Sequence, residues 1–244
     1  MELGLSGRRA LVTGASAGLG LETARALAAE GVSVVVAARR RERLEKTGLP
    51  FIVADVSRTD EVSGLVDEAV SMLGGIDILV ANSGGPPPGN FESTPLDAYE
   101  PALRANLTST IAMCQSVVPG MRSAGWGRVI AITSYSVREP IPHLILSNTA
   151  RAGLTAFLKT LAREVAQYGI TVNTLQPGLH LTDRLAGLYP DRAAVEAAAK
   201  SVPSRTLGDP ADFGHVAAFL CSDHARYITG VSIPVDGGAV HGLQ

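Results

Sequence analysis

Short runs of consecutive apolar residues alternate along this chain with longer segments whose apolar positions recur every three or four residues. The runs end in Thr13 after Leu11 and Val12, then span Val32 to Ala38, Phe51 to Val53, Ile76 to Ala81, Arg128 to Thr133, Ile170 to Leu175 and Val231 to Val235. They do not alternate apolar with polar, so they read as parallel strands covered on both faces. Helices are predicted over the alanine-rich Leu21 to Glu30, over Leu96 to Ser123, over Leu144 to Tyr168 and over Asp209 to Cys221. Another begins near Ser57 to Asp60 and places Val62, Leu65, Val66, Ala69, Val70 and Leu73 in the core. About a dozen residues separate the second strand from the third, so the helix between them must be short. Strand and helix in strict alternation imply an α/β doubly wound parallel sheet of about seven strands with right-handed crossovers.

The stretch Leu11 to Gly20, L-V-T-G-A-S-A-G-L-G, joins the first strand to the first helix. Gly14, Gly18 and Gly20 leave no Cβ between a pyrophosphate and the backbone, and the N–H groups of Ser16, Leu19 and their neighbours can face its charge. That makes the fold Rossmann-type, one NAD(P)-binding domain over residues 1–244. The competing reading is a glycine-rich turn with no ligand. The second strand runs into Arg39, Arg40 and Arg41, with Ala38 where an acidic residue would favour NAD. An arginine there accommodates a 2′-phosphate, so NADP(H) is the preferred cofactor and NAD(H) the second choice. Alternatively the arginines form a solvated helix start. Asp55 and Val56 lie at a strand's carboxyl end, where Asp55 accepts from an adenine amino group or caps the following helix. Asn82 and Gly84 follow the fourth strand and let the backbone approach a ligand, while Pro86 to Pro88 stiffen the loop beyond. Asn106 is polar within a largely apolar helix and needs a partner, either a backbone carbonyl or a water in an active site.

Composition narrows the partners. A formal charge of −2, from 21 basic and 23 acidic side chains, gives no field to gather nucleic acid or anionic lipid. No apolar run approaches the roughly 20 residues of a membrane span and no signal peptide precedes the first strand, so a cytoplasmic protein acting on a small-molecule substrate is expected. Cys114 and Cys221 lack metal-ligand spacing; buried free thiols and no metal are expected. No repeat or low-complexity linker divides the 244 residues. The weakly patterned stretch from Leu179 to Ser204 reads as a substrate lid.

The chain resembles the short-chain dehydrogenase/reductase family over nearly its whole length. The resemblance is carried by T-G-x-x-x-G-x-G from Thr13 to Gly20, Asp55-Val56, Asn82 and Gly84, Asn106, Ser134 after the fifth strand, Pro177-Gly178 with Thr182, and Ile228-Thr229-Gly230 through Asp236-Gly237-Gly238. It implies NAD(P) binding, 3-oxoacyl-acyl-carrier-protein reductase-like or related carbonyl reduction, and a homotetramer or homodimer built on the two long helices. It also implies a Tyr-x-x-x-Lys signature, and by alignment of the flanking A-G-L and L-A-R-E segments this chain has Ser147 and Arg151 there instead.

Both departures bear on the chemistry. In the family the tyrosine exchanges a proton with the substrate oxygen while the lysine, four residues on and on the same helical face, lowers the phenol pKa from about 10. A serine hydroxyl is a weaker and shorter acid, and arginine keeps its charge without relaying protons. Substitute donors are Tyr135, His143, a water held by Asn106 and Ser134, or Arg151 acting electrophilically on an oxyanion. The first expectation is an NADP(H)-dependent oxidoreductase in which Ser134 orients a carbonyl or alcohol oxygen and the proton donor is atypical. Nucleotide binding without redox turnover, as a sensor or partner subunit, is the alternative, and lyase or isomerase chemistry in the same cleft is a third class.

Overall fold

The structure is a computed structural model and describes residues 2–243. Seven strands form one parallel sheet in the order β3-β2-β1-β4-β5-β6-β7. They are β1 (Arg9–Thr13), β2 (Ser33–Ala38), β3 (Phe51–Val53), β4 (Ile78–Ala81), β5 (Gly127–Ile132), β6 (Ile170–Pro177) and β7 (Ser232–Val235). Successive side chains point to opposite faces, so Leu11 enters the core on one side while Ala10 and Val12 enter the core on the other.

Helices cover both faces. On one lie α1 (Gly18–Ala29), the short α2 (Arg41–Glu45) and α9 (Pro210–Cys221), whose Ala24, Leu27, Leu44, Phe213 and Ala217 pack on β1, β2 and β5. On the other lie α3 (Val62–Leu73), α5 (Ser109–Ala124) and α6 (Ile145–Val165), burying Leu65, Met113, Val117, Leu154 and Leu158. Burying a side chain of that size stabilises by about 1.5–3 kcal/mol. The two small helices α7 (Asp183–Ala186) and α8 (Arg192–Ser201) occupy the expected lid between β6 and α9. Local chemistry sets the ends: Gly74 and Gly125 close α3 and α5 with φ of +77° and +66°, and Asp209 caps α9 ahead of Pro210.

Three expectations need correction. Val70 is 40% exposed, because α3 presents only one side to the sheet and Val70 falls at its solvent edge. That helix starts at Val62, since residues 57–61 form turns instead. Asp55 consequently caps no helix; its Oδ1 accepts from the backbone N–H and hydroxyl of Ser57 at 3.0 and 2.8 Å, closing a local turn. The long helical segment before β5 is also less regular than its pattern suggests. It opens with a 3₁₀ turn and α4 (Tyr99–Leu103), loosens into a π-turn over Arg104–Thr108, and continues as α5.

β1 pairs with β2 on one side and β4 on the other, so the connections leave the sheet in opposite directions there. The carboxyl ends of β1 and β4 flank the crevice this creates, the place where open parallel sheets bind ligands.

Candidate active site

The crevice is lined first by the turn after β1. Gly14 and Gly18 both sit at φ +58°, where other residues are strained. A Cβ on Gly14 would come 2.7 Å from the Asn82 carbonyl oxygen, and one on Gly20 would come 2.7 Å from the Gly14 oxygen. The turn is locked to β4: Asn82 Nδ2 donates to the Gly14 carbonyl at 3.1 Å, and the Thr13 hydroxyl donates to the Asn82 carbonyl at 2.8 Å while accepting its N–H at 3.0 Å. The first turn of α1 has no side-chain cap and no acidic residue. Its N–H groups are free to meet an anion, and Ser16 and Leu19 are partly exposed beside them.

The adenosine end expected from the sequence lies at β2 and β3. Arg39 is exposed, with Nη1 3.9 Å from Asp55 Oδ2, so its guanidinium is held near β3 but is free to take a further anion. Val56 is partly buried against the core beside Asp55. At the other end of the crevice, an added Cβ on Gly84 meets nothing within 4 Å, whereas one on Gly178 would come 2.6 Å from Asp236 Cα. Gly178 therefore permits the close pairing in which its N–H donates to the Val235 carbonyl at 2.9 Å, and this holds Pro177 and Gly178 at the crevice. Thr182 caps α7 by accepting from Leu185 N at 3.2 Å, and its methyl lies 3.3 Å from the point where a Gly18 Cβ would be. The segment after β6 thus passes directly over the glycine turn.

The residues expected to act on substrate come from β5, α6 and the π-turn. Ser134 follows β5 and its Oγ accepts from Ser136 N at 3.1 Å, keeping the hydroxyl proton available. Ser147 and Arg151 are both buried, one helical turn apart in α6. Arg151 Nη1 donates to the Ile132 carbonyl at 2.8 Å, which places the guanidinium under the carboxyl end of β5. Burial and then the charge of Arg184 push its pKa down to about 10. It remains a cation at neutral pH.

Asn106 sits in the π-turn and bonds through both amide atoms: Nδ2 donates to the Ala102 carbonyl and Oδ1 accepts from the Ser83 hydroxyl, both at 3.2 Å. Of the two roles open to it in the sequence, the carbonyl partner is present. Tyr135 starts a 3₁₀ turn; burial first, then Tyr189, Asp236 and Glu139, raise its pKa above the usual phenol value. That is the wrong direction for an acid near pH 7. His143 is exposed at φ +62°, and its carbonyl accepts from Gly89 N at 2.7 Å. Cys114 and Cys221 are buried free thiols, both pushed up to about 12, by burial in each case. Among the described residues no cluster could hold a metal ion, and no helix is long and apolar enough to cross a membrane.

Two contributors were not singled out from sequence. Ser83 ties the β4 loop to Asn106. Arg184, two residues beyond Thr182, turns back across the cleft so that Nη2 donates to the Pro86 carbonyl at 2.9 Å. Its only signal was a basic residue near the start of the lid.

Residues 14–240 match a family profile described as enoyl-(acyl carrier protein) reductase. Dehydrogenase/reductase SDR family member 4 of Sus scrofa is 36% identical over 249 residues, covering 98% of this chain and 89% of the relative. Among solved structures, YwfH, an NADPH-dependent reductase involved in bacilysin biosynthesis, superposes with a TM-score of 0.93 at 26% identity, covering 97% of this chain and 99% of that one. L-sorbose reductase of Gluconobacter frateurii, solved with NADPH and L-sorbose, gives 0.90 at 30% identity with 100% of both chains covered. With the glycine turn, the crevice and the sheet order all in agreement, the chain belongs to the short-chain dehydrogenase/reductase family.

Proposed function

We propose that this protein is an NADP(H)-dependent oxidoreductase that interconverts a carbonyl and an alcohol with a proton donor other than tyrosine. The observation that carries it is the uncapped, acid-free start of α1 facing a turn in which Gly14 and Gly20 admit no Cβ. When bound, the nicotinamide supplies or accepts the hydride. The turn of Gly14, Gly18 and Gly20 admits the pyrophosphate, with the N–H groups of Ser16 and Leu19 among its donors, and Arg39 takes the 2′-phosphate. Asp55 and Val56 line the adenine end; Asn82, Gly84 and Arg151 line the nicotinamide ribose. Pro177, Gly178 and Thr182 border the nicotinamide. NADP(H) over NAD(H) rests on Arg39, which stands where no carboxylate occupies the end of β2.

Ser134 donates its free hydroxyl proton to the substrate oxygen as a hydrogen bond, and the Arg151 charge stabilises the oxyanion that forms there. Ser147, with a hydroxyl far above the working pH, does not ionise; it shapes the pocket floor. Asn106, whose amide is tied to the Ala102 carbonyl and the Ser83 hydroxyl, positions the β4 loop. The proton then comes from solvent water reaching Ser134. A 3-oxoacyl thioester is the first carbonyl to test because of the sequence resemblance, and a homotetramer or homodimer through the two long helical segments is the assembly proposed on the same ground.

Titrating NADPH and NADH by fluorescence and following NADPH oxidation across a panel of ketones, aldehydes and oxoacyl thioesters tests the reading. Arg39→Ala is expected to weaken NADPH about tenfold or more and NADH less than twofold; equal weakening removes the phosphate assignment. Turnover that disappears in Ser134→Ala is expected, whereas binding of NADPH with no oxidation by any carbonyl leaves a nucleotide-binding protein without redox turnover.

A further inference from the structure

Two guanidinium groups converge on the reacting end of the crevice, and among the described residues neither has a carboxylate partner. Arg151 is 7% exposed beneath the end of β5, and its one hydrogen bond to protein runs from Nη1 to the Ile132 carbonyl. Arg184 comes from the opposite wall. Its guanidinium lies against Gly85, where an added Cβ would be 2.8 Å from Nη2 and 3.1 Å from Cζ, and it bonds the Pro86 carbonyl at 2.9 Å. Surface arginines normally extend into solvent or pair with a nearby acid. Here the adjacent Asp183 pairs with Arg43 at 2.6 Å instead, leaving Arg184 folded inward over a glycine that makes room for it.

Ile132 ends β5 and Gly85 lies just beyond β4, its neighbour in the sheet, so the two cations face one region. The charge of Arg184 reaches Arg151, where it adds to burial in lowering that guanidinium's pKa. Two like charges held together in a cleft destabilise the free protein, and an anion between them removes that cost. The pyrophosphate's proposed place is the start of α1, whereas the Arg184 guanidinium lies against Gly85 and Pro86 beyond β4.

We infer that the substrate of the proposed reaction carries a carboxylate, and that Arg184 at the rim, backed by Arg151 on the floor, is the specificity-determining group that binds it. This rests on the oxidoreductase reading and narrows it: an oxo acid is favoured over a neutral thioester. A planar guanidinium presents paired N–H donors that match a carboxylate's two oxygens.

The test uses the full chain saturated with NADPH. Oxo acids are compared with their methyl esters as substrates, and benzoate with benzamide as binding probes by calorimetry. The acid is expected to exceed its ester at least tenfold in kcat/KM, and benzoate to bind at least tenfold tighter than benzamide. Arg184→Gln should abolish both preferences while changing the NADPH Kd less than twofold, and Arg184→Lys should retain part of each. Equal use of acid and ester, equal binding of the two probes, or a lysine variant as indifferent as the glutamine one overturns the inference. So does a variant whose loss falls on NADPH binding instead. If no carbonyl is reduced yet benzoate still discriminates through Arg184, the oxidoreductase reading fails and the anion site stands.

Discussion

Arg151 shows how a single buried charge separates stability from function. Moving its pKa from 12.5 to about 10, through burial and then the charge of Arg184, corresponds to a cost of about 3 kcal/mol, and its charged hydrogen bond to Ile132 returns about 1.5–3 kcal/mol. The two nearly cancel. A base with a depressed folded pKa is protonated in both states below about pH 10, so the cost is present in full at neutral pH. Arg151→Met keeps most of the packing volume and removes both terms. The expected outcome is a melting temperature within about 4 °C of the parent, equivalent to about 1 kcal/mol, with at least a tenfold fall in turnover. A collapse of the melting temperature with normal specific activity in the remaining folded protein would make Arg151 a structural residue only. Residues of this kind are partly legible in sequence. Ser147 and Arg151 stand out because they occupy the positions where the family resemblance implies a tyrosine and a lysine, whereas Arg184 does not, since only the backbone path after β6 turns it toward Gly85. Asn106 is intermediate: its burial is foreseeable from its apolar surroundings, but the π-turn that aims it at Ser83 leaves no trace in composition.

The elements follow their local chemistry where that chemistry is unambiguous. β-branched runs such as Val34 to Val36 become central strand because both faces are covered by helix, and all three are buried. α3 starts at Val62, later than the Ser57 to Asp60 its pattern suggests, because Asp55 draws the residues after it into a turn first. β1 and β4, which flank the crevice, are joined at their far ends by an ion pair that sets their register. Arg9 Nε and Nη2 donate to the two Asp77 oxygens at 2.8 and 2.7 Å, and Arg9 N adds a third bond at 3.0 Å. Burial alone would raise the Asp77 pKa, but the Arg9 bonds and charge outweigh it and hold the carboxyl below its ordinary value. A carboxylate with a lowered folded pKa contributes stability above its unfolded pKa of about 3.9, and the contribution disappears as pH falls through the folded value. Asp77→Asn is therefore expected to lower stability by about 1–3 kcal/mol at pH 7 in urea unfolding, with the gap to the parent closing below about pH 4. A gap that stays constant down to pH 2 would assign the loss to packing and not to the charge.

At the scale of the whole molecule, a sheet with both faces covered carries a lightly anchored segment, residues 179–204, over one end. Both core clusters draw on the strands and the large helices, while α8 has no buried residue and α7 contributes only Leu185. Besides Leu185, what holds α7 down is polar: the exposed Arg43–Asp183 pair, reaching from the β2 side of the crevice, and Arg184 on Pro86. An exposed ion pair is worth at most about 1 kcal/mol, so this segment opens far more readily than the sheet beneath it. Opening is what ligand entry requires, because Thr182 lies over the glycine turn and Arg184 crosses to the β4 loop. A protease cutting after lysine and arginine should accordingly cleave the folded chain first at Arg184, Arg192 or Lys200, before any site within α1, α6 or the strands. NADPH should slow that cleavage if it bridges the glycine turn and Thr182, since proteolysis of a locally open state follows the population of that state. Mass analysis of the earliest fragments reads the result. First cuts outside residues 179–204, or cleavage at the same rate with and without saturating NADPH, would show that the segment is neither the weakest part of the fold nor coupled to the crevice it covers.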